Sequence, residues 1–115
     1  MATAYKILGQ TLPTANVLSN VYVTPAATST ILNTITICNQ SAANANVDIV
    51  VRPTSESLDN KHYILKGVTI PRADSLIFSP GITLQADTIV AVNNAVHTGE
   101  TAANVAFNVY GVELT

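Results

Sequence analysis

The chain has 115 residues, of which 48% are hydrophobic and only 10% charged, and its net charge is −2. That length supports one domain with a real core but not two, and the abundance of β-branched residues at low net charge excludes the disordered class. Five scattered basic residues leave no positive stripe, so nucleic-acid binding is excluded as well.

The opening residues, MATAYKILGQ, lack the charged n-region and long apolar stretch of a secretory signal. The expectation is a chain that folds in a reducing cytoplasm and is not exported by that route. No apolar run approaches the roughly 18 residues of a membrane span, so no membrane partner is expected. Residues 5–8 read as a short strand, followed by Gly9, Gln10 and then Pro13. Residues 1–10 are expected to form a short N-terminal arm, ordered only through contacts, because the Ile7-Leu8 pair is too apolar to be left free.

Residues 17–24 form the next strand, with Val17, Val21 and Val23 on one face and Asn20 breaking the pattern. Pro25 turns the chain into residues 30–38, where Ile31, Asn33, Ile35 and Ile37 alternate against Leu32, Thr34, Thr36 and Cys38. Residues 39–46, NQSAANAN, contain no large apolar side chain and predict an exposed loop at a sandwich end. Residues 47–52 point Val47, Ile49 and Val51 inward against Asp48 and Val50, and Pro53 stops the strand. Residues 54–60 are polar, with room for one helical turn capped by Ser55 or Ser57.

Residues 62–65 resume extended structure, Gly67 allows a bend, and residues 68–70 end at Pro71. Residues 75–79 alternate Leu76 and Phe78 against Ile77; Pro80-Gly81 reads as a turn; residues 82–84 and 88–92 are short strands. Residues 93–103, NNAVHTGETAA, predict a second exposed loop. The last strand, residues 105–114, places Val105, Phe107 and Val109 on one face and Asn108 and Tyr110 on the other. Eight or nine short strands at about ten-residue spacing predict a single-domain, all-β, antiparallel β-sandwich, jelly-roll-like.

The chemistry available is thin. Cys38 is the only cysteine, so no intrachain disulfide is possible, and its place in an apolar strand reads as a buried structural thiol. His62 and His97 could share a metal only with a third ligand that no diagnostic spacing supplies, so no metal or cofactor is expected. No Gly-x-Ser-x-Gly elbow, close carboxylate pair or glycine-rich phosphate loop is present, so no catalytic residue is expected. Sugar binding would draw on Tyr5, Tyr22, Tyr63 and Tyr110, but there is no tryptophan, and Tyr22 and Tyr110 sit in apolar strands that favour partial burial.

One set of segments comprises Tyr5-Lys6-Ile7-Leu8-Gly9-Gln10, Tyr22-Val23-Thr24-Pro25-Ala26, Ser29-Thr30-Ile31 and Ile35-Thr36-Ile37-Cys38-Asn39. Arg52-Pro53, Asn60-Lys61-His62-Tyr63-Ile64, Gly81-Ile82-Thr83-Leu84 and residues 107–113 complete it. Together they resemble a family of small virion proteins of tailed bacteriophages, including phages of cyanobacteria. The resemblance spans nearly the whole chain, and its motifs are structural. It implies a β-sandwich that attaches to the particle, as a homotrimer on the outer capsid surface against the major capsid protein, or else on the neck, tail or baseplate. A receptor- or glycan-binding module is the competing function.

Low charge fits such a protomer, since its neighbours cover part of the surface. The contacts expected to hold it are mildly apolar faces that the interior does not need. They are Tyr5, Ile7 and Leu8 in the arm, Leu32, Val50, and Tyr110 with Val112 and Leu114 near the C-terminus. Ordinary core is the other role these positions could play, because both faces of a central strand can be buried.

Overall fold

The computed structural model describes residues 3–14, 16–96 and 104–115, the side chains of residues 95 and 96 excepted. Among them are nine strands: β1 (Thr3–Thr11), β2 (Ser19–Val23), β3 (Ser29–Asn39), β4 (Ala45–Pro53), β5 (Tyr63–Ile70), β6 (Ser75–Phe78), β7 (Ile82–Leu84), β8 (Thr88–Val96) and β9 (Val105–Leu114). They form two sheets. One has the order β1-β9-β3-β6, with β7 also on β3, and the other has the order β2-β8-β4-β5.

The pairings nest. β1 pairs with β9, β2 with β8, β3 with β6 and β7, and β4 with β5, all antiparallel. That is one long hairpin, closed at the β4–β5 connection and rolled so that successive pairs fall in alternate sheets. The β3–β9 and β4–β8 pairings then seal each sheet. The result is a jelly roll. β6 and β7 act as one strand along β3, interrupted at Ser79-Pro80-Gly81. Three residues there oppose Asn33 and Thr34, and Gly81 takes a φ of 60°. Pro80-Gly81 is therefore a kink within a continuing edge, where a missing N–H costs no ladder bond, and not a reversal.

The core between the sheets is built from Ile35, Ile37, Val47, Ile49, Val90, Val92, Val105, Phe107 and Val109, with Leu76 and Phe78 packed against it. The inward alternation expected for β4, β6 and β9 holds there. A second, smaller cluster joins Val50, Ile89 and Ala91, covered by Leu18 and Tyr63.

Bulges account for most departures from the sequence expectations. The register of β3 on β9 shifts at Asn33, so Leu32 and Ile35 point to the same side. Leu32 is fully buried with Ile35 and Ile37, while Ile31 joins Thr34, Thr36 and Cys38 outside. Cys38 is half-buried on that outer side and is not a core thiol. A bulge at Val21 of β2 leaves Val23 45% exposed and turns Tyr22 into the core. The arm is also more integral than expected: residues 3–11 form a full edge strand, bulged at Leu8.

Both polar loops are shorter than predicted. Asn39 is buried at the end of β3, and Ala45 and Asn46 already belong to β4. The Asn39 carboxamide donates to the carbonyls of Ala43 and Ile70 (both 3.0 Å) and accepts from the Ser41 amide (2.9 Å). A polar side chain buried this way organises the turn from within. Asn93 and Asn94 continue β8, because its pairing with β4 runs without a shift from Thr88 to Val96. Asn94 is 1% exposed, and its carboxamide finds no partner among the described residues. Residues 97–103, including His97, lie outside the described residues. The helical turn expected in residues 54–60 is a 3₁₀ turn at Asn60–His62, capped by Asp59 and not by a serine.

Candidate functional site

Strand alternation and register place a set of side chains on the outer face of the β1-β9-β3-β6/β7 sheet. Row by row across the strands, they are Thr3, Leu114 and Ser29; then Tyr5, Val112, Ile31 and Thr83; then Ile7, Tyr110 and Thr34. Below these lie Gln10, Asn108, Thr36 and Ile77, and finally Ala106, Cys38 and Ser75. None of these positions carries Asp, Glu, Lys, Arg or His. Gln10 donates to Asn108 across the strands at 2.8 Å. Tyr5 is 82%, Ile77 70% and Ile7 53% exposed, so the face is open at both edges.

The described charges lie elsewhere. Lys6 points to the other side of β1, against Glu113 at 2.9 Å. Asp48, Arg52 and Lys66 sit on β4 and β5, and the others lie in the connections between strands and in the 3₁₀ turn. An uncharged sheet face opposite a charged one is a directional surface. Covering it removes apolar atoms and hydroxyls from water without stripping an ion of its hydration.

Five of the eight predicted contact residues share this side of the sheet: Tyr5, Ile7, Tyr110, Val112 and Leu114, although Val112 is only 7% exposed, covered between Tyr5 and Ile31. Leu8 does not join them, because the bulge turns it onto the core cluster beside Gly111. Leu32 and Val50 are fully buried within the chain and cannot form an outer surface. Leu32 was misplaced by the Asn33 bulge; Val50 does face away from the main core, as expected, but is roofed by Leu18 and Tyr63. The sequence reading missed Ile77, Thr34 and Thr36 as members. Their outward alternation was legible, but which strands lie side by side was not.

Behind the face, a polar tie joins the two sheets. The Tyr22 hydroxyl donates to Glu113 Oε2 at 2.6 Å and shares a 2.8 Å hydrogen bond with the Thr30 hydroxyl. Glu113 Oε1 accepts from Lys6 at 2.9 Å. Burial, reinforced by the neighbouring carboxylate, pushes the Tyr22 hydroxyl up to about 12. The hydrogen bonds from Tyr22 and then Lys6 hold the Glu113 carboxyl below its ordinary value. Both groups are therefore locked into one charge state, which suits a structural brace and not a proton-transfer pair.

His62 is braced too. Its Nδ1 accepts from the Asp59 amide at 2.9 Å, which leaves Nε2–H to donate to Glu56 Oε1 at 3.2 Å. Lys61, 3.1 Å from the same carboxylate, and then His62 hold Glu56 below its ordinary value. Among the described residues there is no group of three metal-type side chains. No helix among them is long and apolar enough to cross a membrane. A shallow cleft of about 370 Å³ is lined by Ser29, Val51, Thr83, Leu84, Gln85 and Thr88. It offers hydroxyls but no aromatic platform for a sugar ring.

No protein-family model matches the chain, and comparison with curated proteins found no match either.

Proposed function

We propose that this chain is a structural protein of a phage virion that decorates the capsid and bridges neighbouring capsomers. On this reading it acts through protein–protein contacts alone, without catalysis or cofactor. The observation that carries it is the uncharged outer face of the β1-β9-β3-β6/β7 sheet. A cement protein must bury one surface on the shell and another on sister copies, and each ion buried without a partner costs several kcal/mol. This face brings none. The core of a protein–protein contact is likewise depleted in charge.

Two further points support the reading. The jelly roll is a fold of viral capsid domains as well as lectins, though a fold alone assigns no function. The segments that resemble small virion proteins, such as Tyr5-Lys6-Ile7-Leu8 and residues 107–113, supply strands of this same sheet. The partners proposed are sister copies, in the trimer that the resemblance implies, and the major capsid protein; the location is the outer capsid surface. By binding the assembled shell and not its free subunits, the protein stabilises the particle by mass action.

Co-sedimentation with empty capsids tests the proposal. The wild-type chain should pellet with the shells and raise their melting temperature. Ile77→Asp sets a carboxylate on the face at a 70% exposed position, so shell binding should fall at least tenfold while the fold persists. Binding to purified tails and not to heads would move the protein to the neck, tail or baseplate. Binding to glycans with none to particles would sink the structural reading.

A further inference from the structure

Each sheet has two edges, and three of the four are blunted. The β6/β7 edge is broken by Pro80-Gly81, β2 is five residues long and bulged at Val21, and β5 is bulged at Ile64 and at Lys66-Gly67. Bulges, breaks and short strands are the devices that keep an edge from pairing with another chain. The fourth, β1, carries its single bulge at Leu8, which leaves residues 3–7 as an uninterrupted stretch of edge. This stretch pairs with β9 in unbroken register, and all five of its residues are exposed.

Lys6 is the one charge on this edge, and a lysine there would ordinarily discourage pairing. Its ammonium is already held by Glu113 of the same chain, on the side away from Tyr5 and Ile7. The five residues are also complementary to themselves. Laid antiparallel on a second copy and centred on Tyr5, the stretch sets Tyr5 against Tyr5, Thr3 against Ile7, and Ala4 against Lys6. On one face this gives an aromatic pair flanked by two β-branched pairs, the combinations that favour cross-strand packing. On the other it sets no like charges opposite one another.

We propose that the protein forms a two-fold dimer through antiparallel pairing of β1 with β1 of a second copy, centred on Tyr5. The two sheets then join into one, and their uncharged faces become a single surface of twice the width. The contact is isologous, the same patch serving both copies, and so differs from the heterologous contacts of a threefold ring. It competes with the trimer of sister copies named above and would replace it, while attachment to the shell is tested separately by the capsid co-sedimentation.

Sedimentation of the purified full chain should give twice the 12.1 kDa of one copy. Tyr5→Glu, at an 82% exposed position, should abolish the dimer and leave the β-sheet circular dichroism unchanged. In a Cys38→Ser background, Tyr5→Cys should give a disulfide-linked dimer under mild oxidation. Ile77→Cys, at the opposite edge of the same face, should give little or none. A monomeric or trimeric wild type would overturn the proposal. So would a dimer that survives Tyr5→Glu, or Ile77→Cys cross-linking as readily as Tyr5→Cys.

Discussion

Tyr22 and Glu113 link the two sheets through side chains 91 residues apart in sequence, and both are shifted so that each keeps one charge state near neutrality. The pH dependence follows from those directions. A carboxylate held low in the folded state contributes stability above its unfolded value, and the contribution is lost as pH falls through the lower folded value. Stability should therefore drop in acid, and the drop should be smaller in Glu113→Gln, as measured by urea unfolding across acid pH. A tyrosine raised to about 12 contributes below its unfolded value near 10 and loses the contribution as pH rises through the folded one. Tyr22→Phe should weaken that alkaline limb. Asn39 is the other residue-scale brace: Asn39→Ala removes its hydrogen bonds and leaves buried carbonyls unpaired, at a cost of about 2–3 kcal/mol by the same unfolding assay.

Among the elements, β9 shows how a bulge and a glycine act together. Its neighbours both shift register close to Gly111, β3 at Asn33 between Gly111 and Tyr110 and β1 at Leu8 between Tyr110 and Val109. A Cβ on Gly111 would lie 2.2 Å from the Ile31 carbonyl oxygen and 2.9 Å from Leu8 Cδ1. One contact is backbone and cannot yield cheaply. Gly111→Ala should therefore cost about 3 kcal/mol, at the upper end for overpacking. Gly81 has open space around it but a φ of 60°, so Gly81→Ala meets only backbone strain and should cost about 1 kcal/mol. Thermal unfolding of the two variants side by side checks the difference. Leu32→Ala should cost about 2–5 kcal/mol, the range for a core leucine, whereas an outer-face residue would cost far less.

For the whole molecule, the nested pairing means that β1 closes on β9 across nearly the full chain. Contacts this distant in sequence make all-β sandwiches fold in milliseconds to seconds, and stopped-flow refolding should fall in that range. Deleting residues 1–10 removes most of an edge strand and uncovers β9. The shortened chain should lose stability and aggregate more readily than the full one, as read by light scattering during unfolding. Segregation of charge belongs to this scale as well. The outer face draws on β1, β3, β6, β7 and β9, and no segment by itself looks unusual.

Period-two alternation was enough to identify the strand class, the approximate strand count and the inward residues of β4, β6 and β9, because that signal is local. The ends of β9 were also legible, with turn chemistry on one side and a sustained apolar alternation within. Leu32 was not placed correctly. One extra residue at Asn33 reverses the side for everything after it, and the bulge exists only because β9 lies alongside. Asn39 and Asn94 read as loop residues because carboxamides are usually solvated. Their burial depends on partners and on pairing with β4 that a linear reading does not contain. Composition alone announced that charge was scarce; only the roll of the two sheets decided that one face would have none and that residues 3–7 would lie on a sheet edge.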